Sequence, residues 1–203
     1  MKIYLLDRNK GMTDAWAKCF NDLENVEIVN DDFAHFMNEH PEIDCVVSPA
    51  NSFGLMDGGY DKAITDYFGT QLMKDVQDTI IDEWYGEQPV GSSFYIRIRN
   101  ENNEYCLSTD KHGRHSIVGL IHTPTMRTPE IITDYRIIYQ CMRTTLIEAL
   151  GSEYIVIPAF GGSCGQVPYD EIARMMYLAY EQINNPPEEL NWRYALETKI
   201  SLK

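Results

Sequence analysis

A chain of 203 residues is most simply one domain, able to bury about 70% of the surface that its unfolded form exposes. Its 44% hydrophobic content is that of an ordinary globular protein, and no apolar run reaches the ~20 residues that a membrane-spanning helix needs. A net charge of −14 repels nucleic acid and other polyanions at long range, so a phosphate ligand must be held by local donors such as backbone N–H groups and helix N-termini.

The start, Met1-Lys2-Ile3-Tyr4-Leu5-Leu6-Asp7, is too short and too soon acidic for a signal peptide. It reads instead as a first strand over residues 2–7. Helical spacing of Met12, Ala15, Trp16, Cys19, Phe20 and Leu23 predicts a helix over 11–22. Residues 26–29 form a short strand. Asp31 or Asp32 caps a helix carrying Phe33, Phe36 and Met37, and Pro41 ends it. Residues 44–48 lack polar alternation, as a strand covered on both faces should. Residues 59–84 read as helix, broken near Gly69, and Pro89-Val90-Gly91 as a turn.

Residues 93–99 and 104–108 resemble the arms of a hairpin joined by Asn100-Glu101-Asn102-Asn103. Residues 116–122 are another central strand, and 130–150 an amphipathic helix ending at Gly151. A strand at 154–157 and a helix at 168–184 follow. The tail after Asn184-Asn185-Pro186-Pro187 carries no clear signal. Alternation of strands and helices predicts an α/β sheet with helices on both faces.

Cys19, Cys45, Cys106, Cys141 and Cys164 are odd in number and scattered, without CxxC or Cys/His metal spacing. Reduced, mostly buried thiols suit a reducing, cytoplasmic compartment. His112 and His115 flank Gly113-Arg114 in a polar stretch that reads as hairpin surface. Arg97, Arg99, Lys111, Arg114 and Arg127 are the one loose basic cluster, not a groove.

Two stretches stand out. Val46-Val47-Ser48-Pro49-Ala50-Asn51 runs from a strand into a loop that reaches Gly58-Gly59-Tyr60-Asp61 at a helix start. Ile155-Val156-Ile157-Pro158-Ala159-Phe160 runs likewise into Gly161-Gly162-Ser163-Cys164-Gly165. In open α/β sheets, ligands sit outside the carboxyl ends of strands, and both loops occupy that position. Gly58 and Gly59 let backbone touch a ligand before a helix whose first N–H groups point outward. Consecutive N–H groups over residues 161–165 make an anion-binding nest. Neither a P-loop nor a dinucleotide fingerprint is present.

The residues leave alternatives open. Asn51 offers donors and an acceptor for a sugar diol, or it satisfies its own loop. Asp61 is a first-turn dipole partner or N-cap, or a functional carboxylate. Asp32 accepts from an exocyclic amine such as adenine's, or caps its helix. Phe33 stacks on a base, or fills core. Cys164 is a candidate nucleophile if His122 approaches it in space.

At these residues the chain resembles the macro domain family of ADP-ribose-binding modules and hydrolases, in its bacterial and phage-type branch. Val26-Glu27-Ile28-Val29-Asn30-Asp31-Asp32-Phe33 is similar to the family's strand followed by Gly-Asp-Ile, with Asp31 in place of the glycine. Ser48-Pro49-Ala50-Asn51 with Gly58-Gly59-Tyr60-Asp61 is similar to Asn-Ala-Ala-Asn with Gly-Gly-Val-Asp; Ser48 replaces the first Asn, and the glycine run is shorter. Residues 158–168 resemble the diphosphate loop, with Ser163 where many members carry glycine. Pro124-Thr125-Met126-Arg127 also fits the branch.

The resemblance implies a three-layer α/β/α fold with a mixed central sheet, forming one domain over residues 1–203 with 184–203 as a C-terminal extension. It implies that Asp32 binds the adenine amine with Phe33 alongside the base. Asn51 holds the distal ribose, Gly58 and Gly59 line ribose and phosphates, and residues 161–165 wrap the diphosphate. Asp61, with Asn51, is the catalytic pair of an ADP-ribosyl hydrolase; the alternatives are a non-catalytic binding module and, more weakly, an ADP-ribose 1″-phosphate phosphatase. No cofactor or metal is implied. The implied partner is ADP-ribose or another NAD-derived small molecule, free or attached to a macromolecule, with neither membrane nor nucleic acid as a favoured partner.

Overall fold

The computed structural model describes residues 1–201. β1 (Lys2–Leu6) leads to α1 (Lys10–Phe20), β2 (Val26–Val29), α2 (Phe33–Glu39) and β3 (Cys45–Ser48). Next come α3 (Gly59–Phe68), α4 (Gln71–Trp84), β4 (Phe94–Arg97), β5 (Leu107–Thr109), β6 (His115–Ile117) and β7 (Gly119–His122). After these lie α5 (Arg136–Glu148), β8 (Tyr154–Pro158), α6 (Tyr169–Asn184) and α7 (Trp192–Ser201).

Six strands form one sheet in the order β2-β1-β8-β3-β7-β4. The first five run parallel, and β4 pairs antiparallel with β7. The sheet is therefore mixed, as expected. Strand alternation sorts the core into two layers. Ile3, Leu5, Val47, Ile155 and Ile157 face α1, α5 and α6. Tyr4, Leu6, Val46, Leu120 and Val156 face α2, α3 and α4. Burial on both faces explains why these strands carry almost no polar residues.

Three expectations need correction. Residues 93–99 and 104–108 are not two arms of one ladder: β4 pairs with β7, while β5 pairs with β6. Only a bridge between Arg99 and Tyr105 remains of that hairpin. The bare backbone of Gly119 lets β4 close on β7, because a Cβ there would lie 2.0 Å from the Tyr95 ring. Second, the strand over 116–122 is two, β6 and β7, parted at Val118. Third, α5 begins at Arg136, six residues later than the helical pattern suggests. Ile132 N–H donates to the Gly165 carbonyl at 2.9 Å, which draws the segment before α5 into the second glycine loop.

The tail forms α7, whose Tyr194 hydroxyl accepts from Gln182 Nε2 on α6. His112 lies in the turn between β5 and β6, and His115 opens β6. Cys45 and Cys141 are buried, Cys19 and Cys106 half-buried, and Cys164 exposed, all as free thiols. No helix among the described residues is long and apolar enough to cross a membrane.

Candidate functional site

A cleft of about 460 Å³ opens along the carboxyl ends of the parallel strands. Its lining follows the strand order. Asp31, Asp32 and Phe33 lie past β2; Asp7, Arg8 and Asn9 past β1; Ala159, Gly161, Gly162, Ser163 and Cys164 past β8. Pro49, Ala50 and Asn51 lie past β3, and Thr125 and Met126 past β7. Four inter-strand gaps make this roughly 19 Å of edge. Gly58, Gly59, Tyr60 and Asp61, at the start of α3, line the same cleft. The two glycine-rich loops thus face one cleft.

The second loop is rich in unpaired donors. None of the N–H groups of Gly161, Gly162, Ser163, Cys164 and Gly165 has a protein acceptor among the described hydrogen bonds. Val167 N–H donates to the Gly161 carbonyl and Gln166 N–H to the Ser163 carbonyl, which curls the loop and leaves its donors outward. Gly161 adopts φ +77°, and a Cβ on it would lie 2.9 Å from Ile132 Cδ1. Gly165 does not line the cleft. It stands behind the loop, where a Cβ would meet the Gly161 carbonyl oxygen at 2.6 Å.

Helix α3 presents a second set of donors. Its N-cap is Gly58, with no side-chain cap, so the first N–H groups of the helix are free for an anion. Gly59 takes φ +59°, and a Cβ on either glycine would meet open space.

Asp61 sits in the first turn of α3, only 8% exposed. Burial pushes its carboxyl up to about 7, a hydrogen bond from Ser48 opposing the rise and the Asp57 charge adding to it. Ser48 Oγ donates that bond at 2.7 Å. A buried carboxyl poised near neutral pH beside free donors is the arrangement expected of a proton-exchanging group.

Other expected residues are placed with qualifications that are physical. Asp32 caps α2 through Oδ1, which accepts from His35 N–H at 3.0 Å, and it remains exposed in the cleft wall. Phe33 is only 3% exposed and packs edge-on against Tyr60 and Tyr67; it is chiefly core, with an edge to the cleft. Asn51 lines the cleft, but its Oδ1 accepts from Phe53 and Leu55 N–H, and its Nδ2 donates to the Leu55 carbonyl. The amide is thus engaged with its own loop. Arg127 turns from the cleft to a bidentate pair with Glu87 and lies over the Phe53 ring.

The Cys164–His122 pairing does not occur. Cys164 is exposed, whereas His122 is fully buried, outside the cleft lining, with Nδ1 bonded to Gln88 Oε1 at 2.6 Å. Burial pushes the His122 imidazole down to about 3, so it stays neutral. Among the described residues no group of three or more His, Cys, Asp and Glu could hold a metal ion.

Sequence reasoning missed Asp7, Arg8 and Asn9, together with Tyr169, whose hydroxyl accepts from Asn9 Nδ2 at 2.7 Å. The signal was present: the carboxyl-end rule applies to β1 as much as to β3 and β8. It missed the Ser48 partnership too, because pairing across 13 residues needs the register of strand against helix.

Residues 12–154 match the family described as the macro-like domain. An uncharacterised protein of Aquifex aeolicus is 29% identical over 138 residues, which is 66% of this chain and 71% of that one. Among solved structures, the Oceanobacillus iheyensis macrodomain with ADP superposes with a TM-score of 0.54 at 19% identity, covering 79% of this chain and 83% of that chain. DarTG of Thermosipho africanus in complex with ADP-ribose gives 0.54 at 14% identity, over 100% of this chain and 57% of that one. The macrodomain of Mycobacterium tuberculosis DarG gives 0.51 at 14%, over 70% and 84%. Those structural likenesses are of fold; it is the family match, running from α1 into β8, by which the chain belongs to the macro-like domain family.

Proposed function

We propose that the cleft binds ADP-ribose or an ADP-ribose derivative and hydrolyses the bond at the distal ribose. The observation that carries the binding is the run of acceptor-less N–H groups over residues 161–164, in the cleft that the uncapped N-terminus of α3 also lines. Such paired donors suit a diphosphate in a chain of net charge −14, which offers no general positive field. Two of the structural relatives carry ADP and ADP-ribose.

In this reading Asp32 takes the adenine amine on the carboxylate oxygen that its capping role leaves open. The diphosphate lies against residues 161–164, and the distal ribose reaches Asn51, Gly58 and Gly59. A water attacks C1″ of that ribose, the C1″ bond to the attached group breaks, and the departing group takes the bonding pair. Asp61 accepts the proton of the attacking water. Its carboxylate, with a neighbouring phosphate oxygen, offsets positive charge growing at the oxocarbenium-like carbon.

A second reading, a module that binds without turnover, is favoured by one observation: the Asn51 oxygen and one of its two N–H donors are engaged with its own loop. Calorimetric titration with ADP-ribose, paired with release assays on ADP-ribosylated substrates, separates the two. Asp61→Ala should retain affinity and lose turnover. Wild-type protein that binds ADP-ribose yet releases nothing supports the module, and absence of ADP-ribose binding removes both.

A further inference from the structure

Arg8 is the one Lys or Arg that lines the cleft among the described residues. It is exposed. Many of the surface cations elsewhere are paired, among them Lys10 with Asp14, Lys18 with Asp170, Lys62 with Asp66 and Arg127 with Glu87. Arg8 differs. No described hydrogen bond or ion pair fixes its guanidinium, although Asp7, Asp31 and Asp32 line the same cleft. Its recorded electrostatic neighbour is Asp7, whose carboxyl burial raises and Arg8 draws back down. Asp31 is committed elsewhere, to His35.

Position adds a second argument. Arg8 follows β1, and β1 lies between β2 and β8 in the sheet. Its loop therefore has the Asp31-Asp32 loop on one side and the acceptor-less loop over residues 161–164 on the other. Each neighbour is about one strand spacing away, ~4.8 Å, well within the reach of an arginine side chain. A guanidinium carries five donors in a fixed fork that matches phosphate oxygens. A free fork beside a run of acceptor-less N–H groups, in a cleft whose other charged groups are acidic, suits an anionic ligand such as a phosphoryl group.

We propose that Arg8 is a phosphate-reading specificity residue on the adenosine side of the cleft. This rests on the nucleotide reading above. The phosphoryl group is either the 5′-diphosphate or a phosphomonoester on the adenosine ribose; both present the same oxygens to the fork. The contact makes the cleft discriminate among adenosine ligands by phosphoryl charge, a task that backbone N–H groups share but cannot tune with salt to the same degree. An ion contact of this kind is screened as ionic strength rises.

Titrate wild type, Arg8→Gln and Arg8→Lys with ADP-ribose, ADP-ribose 2′-phosphate and adenosine, at low and high salt. Arg8→Gln should weaken ADP-ribose binding about tenfold, as for loss of a charge-assisted bond, and leave adenosine affinity unchanged. Its affinity should also depend less on salt than wild type's. Arg8→Lys should fall between, since it keeps charge without the fork. A larger loss for the 2′-phosphate than for ADP-ribose assigns the contact to a ribose phosphomonoester; equal losses assign it to the diphosphate. Unchanged affinity for both ADP-ribose and ADP-ribose 2′-phosphate in Arg8→Gln, with unchanged salt dependence, overturns the proposal while leaving nucleotide binding intact. If wild type binds none of the three ligands, the nucleotide reading itself falls, and this one with it.

Discussion

Ser48 Oγ donates to Asp61 Oδ1 across 2.7 Å, tying the last residue of β3 to the first turn of α3. The other carboxylate oxygen has no protein partner among the described hydrogen bonds, and Asp61 reaches the cleft. The bond favours the ionised carboxyl, against the burial that disfavours it. In Ser48→Ala the carboxyl should therefore rise further above about 7. If ionised Asp61 is the base, the rising limb of kcat/KM against pH moves upward by up to about one unit, and turnover at neutral pH drops several-fold. A pH–rate profile of Ser48→Ala that overlays wild type would remove Asp61 from that role.

The same carboxyl predicts a pH-dependent stability. Its folded value, about 7, lies above the ordinary 3.8, so between those limits the folded state holds the extra proton. Stability from this group is present below pH 4 and lost as pH rises to about 7, on the order of 4 kcal/mol in full. His122 opposes it: its folded value, about 3, lies below the ordinary 6.5, so its contribution grows as pH rises over much of the same window. The two largely cancel in wild type. Asp61→Asn keeps an acceptor for Ser48 and removes the titration. Urea unfolding from pH 4 to 7.5 should show the variant gaining on wild type steadily and levelling near 7; a constant difference contradicts the burial argument.

In the proposed function Asp32 adds adenine binding to its capping role, and two substitutions separate the two. Its Oδ1 caps α2, so Asp32→Ala should cost about 1 kcal/mol of stability as well as adenine affinity. Asp32→Asn keeps the capping oxygen but turns the second position into a donor, which faces the amine donor of adenine. Stability should stay within about 0.5 kcal/mol, since Asn caps as well as Asp, while ADP-ribose affinity falls about tenfold. Titration and thermal melts on both variants test this; an Asp32→Asn that binds like wild type places adenine elsewhere.

Glycines of the two loops should respond differently to a methyl group. Gly165→Ala forces a Cβ to 2.6 Å from the Gly161 carbonyl oxygen and 2.8 Å from Ile132 Cδ1. The backbone must shift, at a cost of about 1–3 kcal/mol, and the curl that aims the N–H groups shifts with it. Gly58→Ala meets open space at φ −145° and should leave the melting temperature nearly unchanged. Equal destabilisation by both would show that loop curvature is not set by that contact.

Much of this architecture is legible in the sequence because burial leaves a periodic mark. β1, β3 and β8 are plain since apolar residues fill both faces, and α3 parts from α4 at Gly69 because its φ of +100° ends a helix. Pairing partners are less plain. The segment of β4 reads as a strand, but that it joins β7 depends on an absent side chain at Gly119, a relation between elements rather than along one. The glycine loops were found from their place after strands. Arg8 follows β1 and falls under the same rule, but its place beside the second glycine loop needs the sheet order that sets β1 next to β8. The Asn51 amide shows the converse limit: the residue lines the cleft, yet which partner its amide takes is decided by loop geometry within four residues.

The acceptor-less donors of the second loop, which the proposed function assigns to an anion, belong to peptide groups, which every residue but proline supplies alike. Side chains there can drift so long as the curl survives, and a serine or cysteine at 163 and 164 serves as well as any small neighbour. Recognition carried in this way is inherited as a shape. It outlasts the spelling of the chain, as befits a fold shared with proteins fewer than one residue in five of which agree.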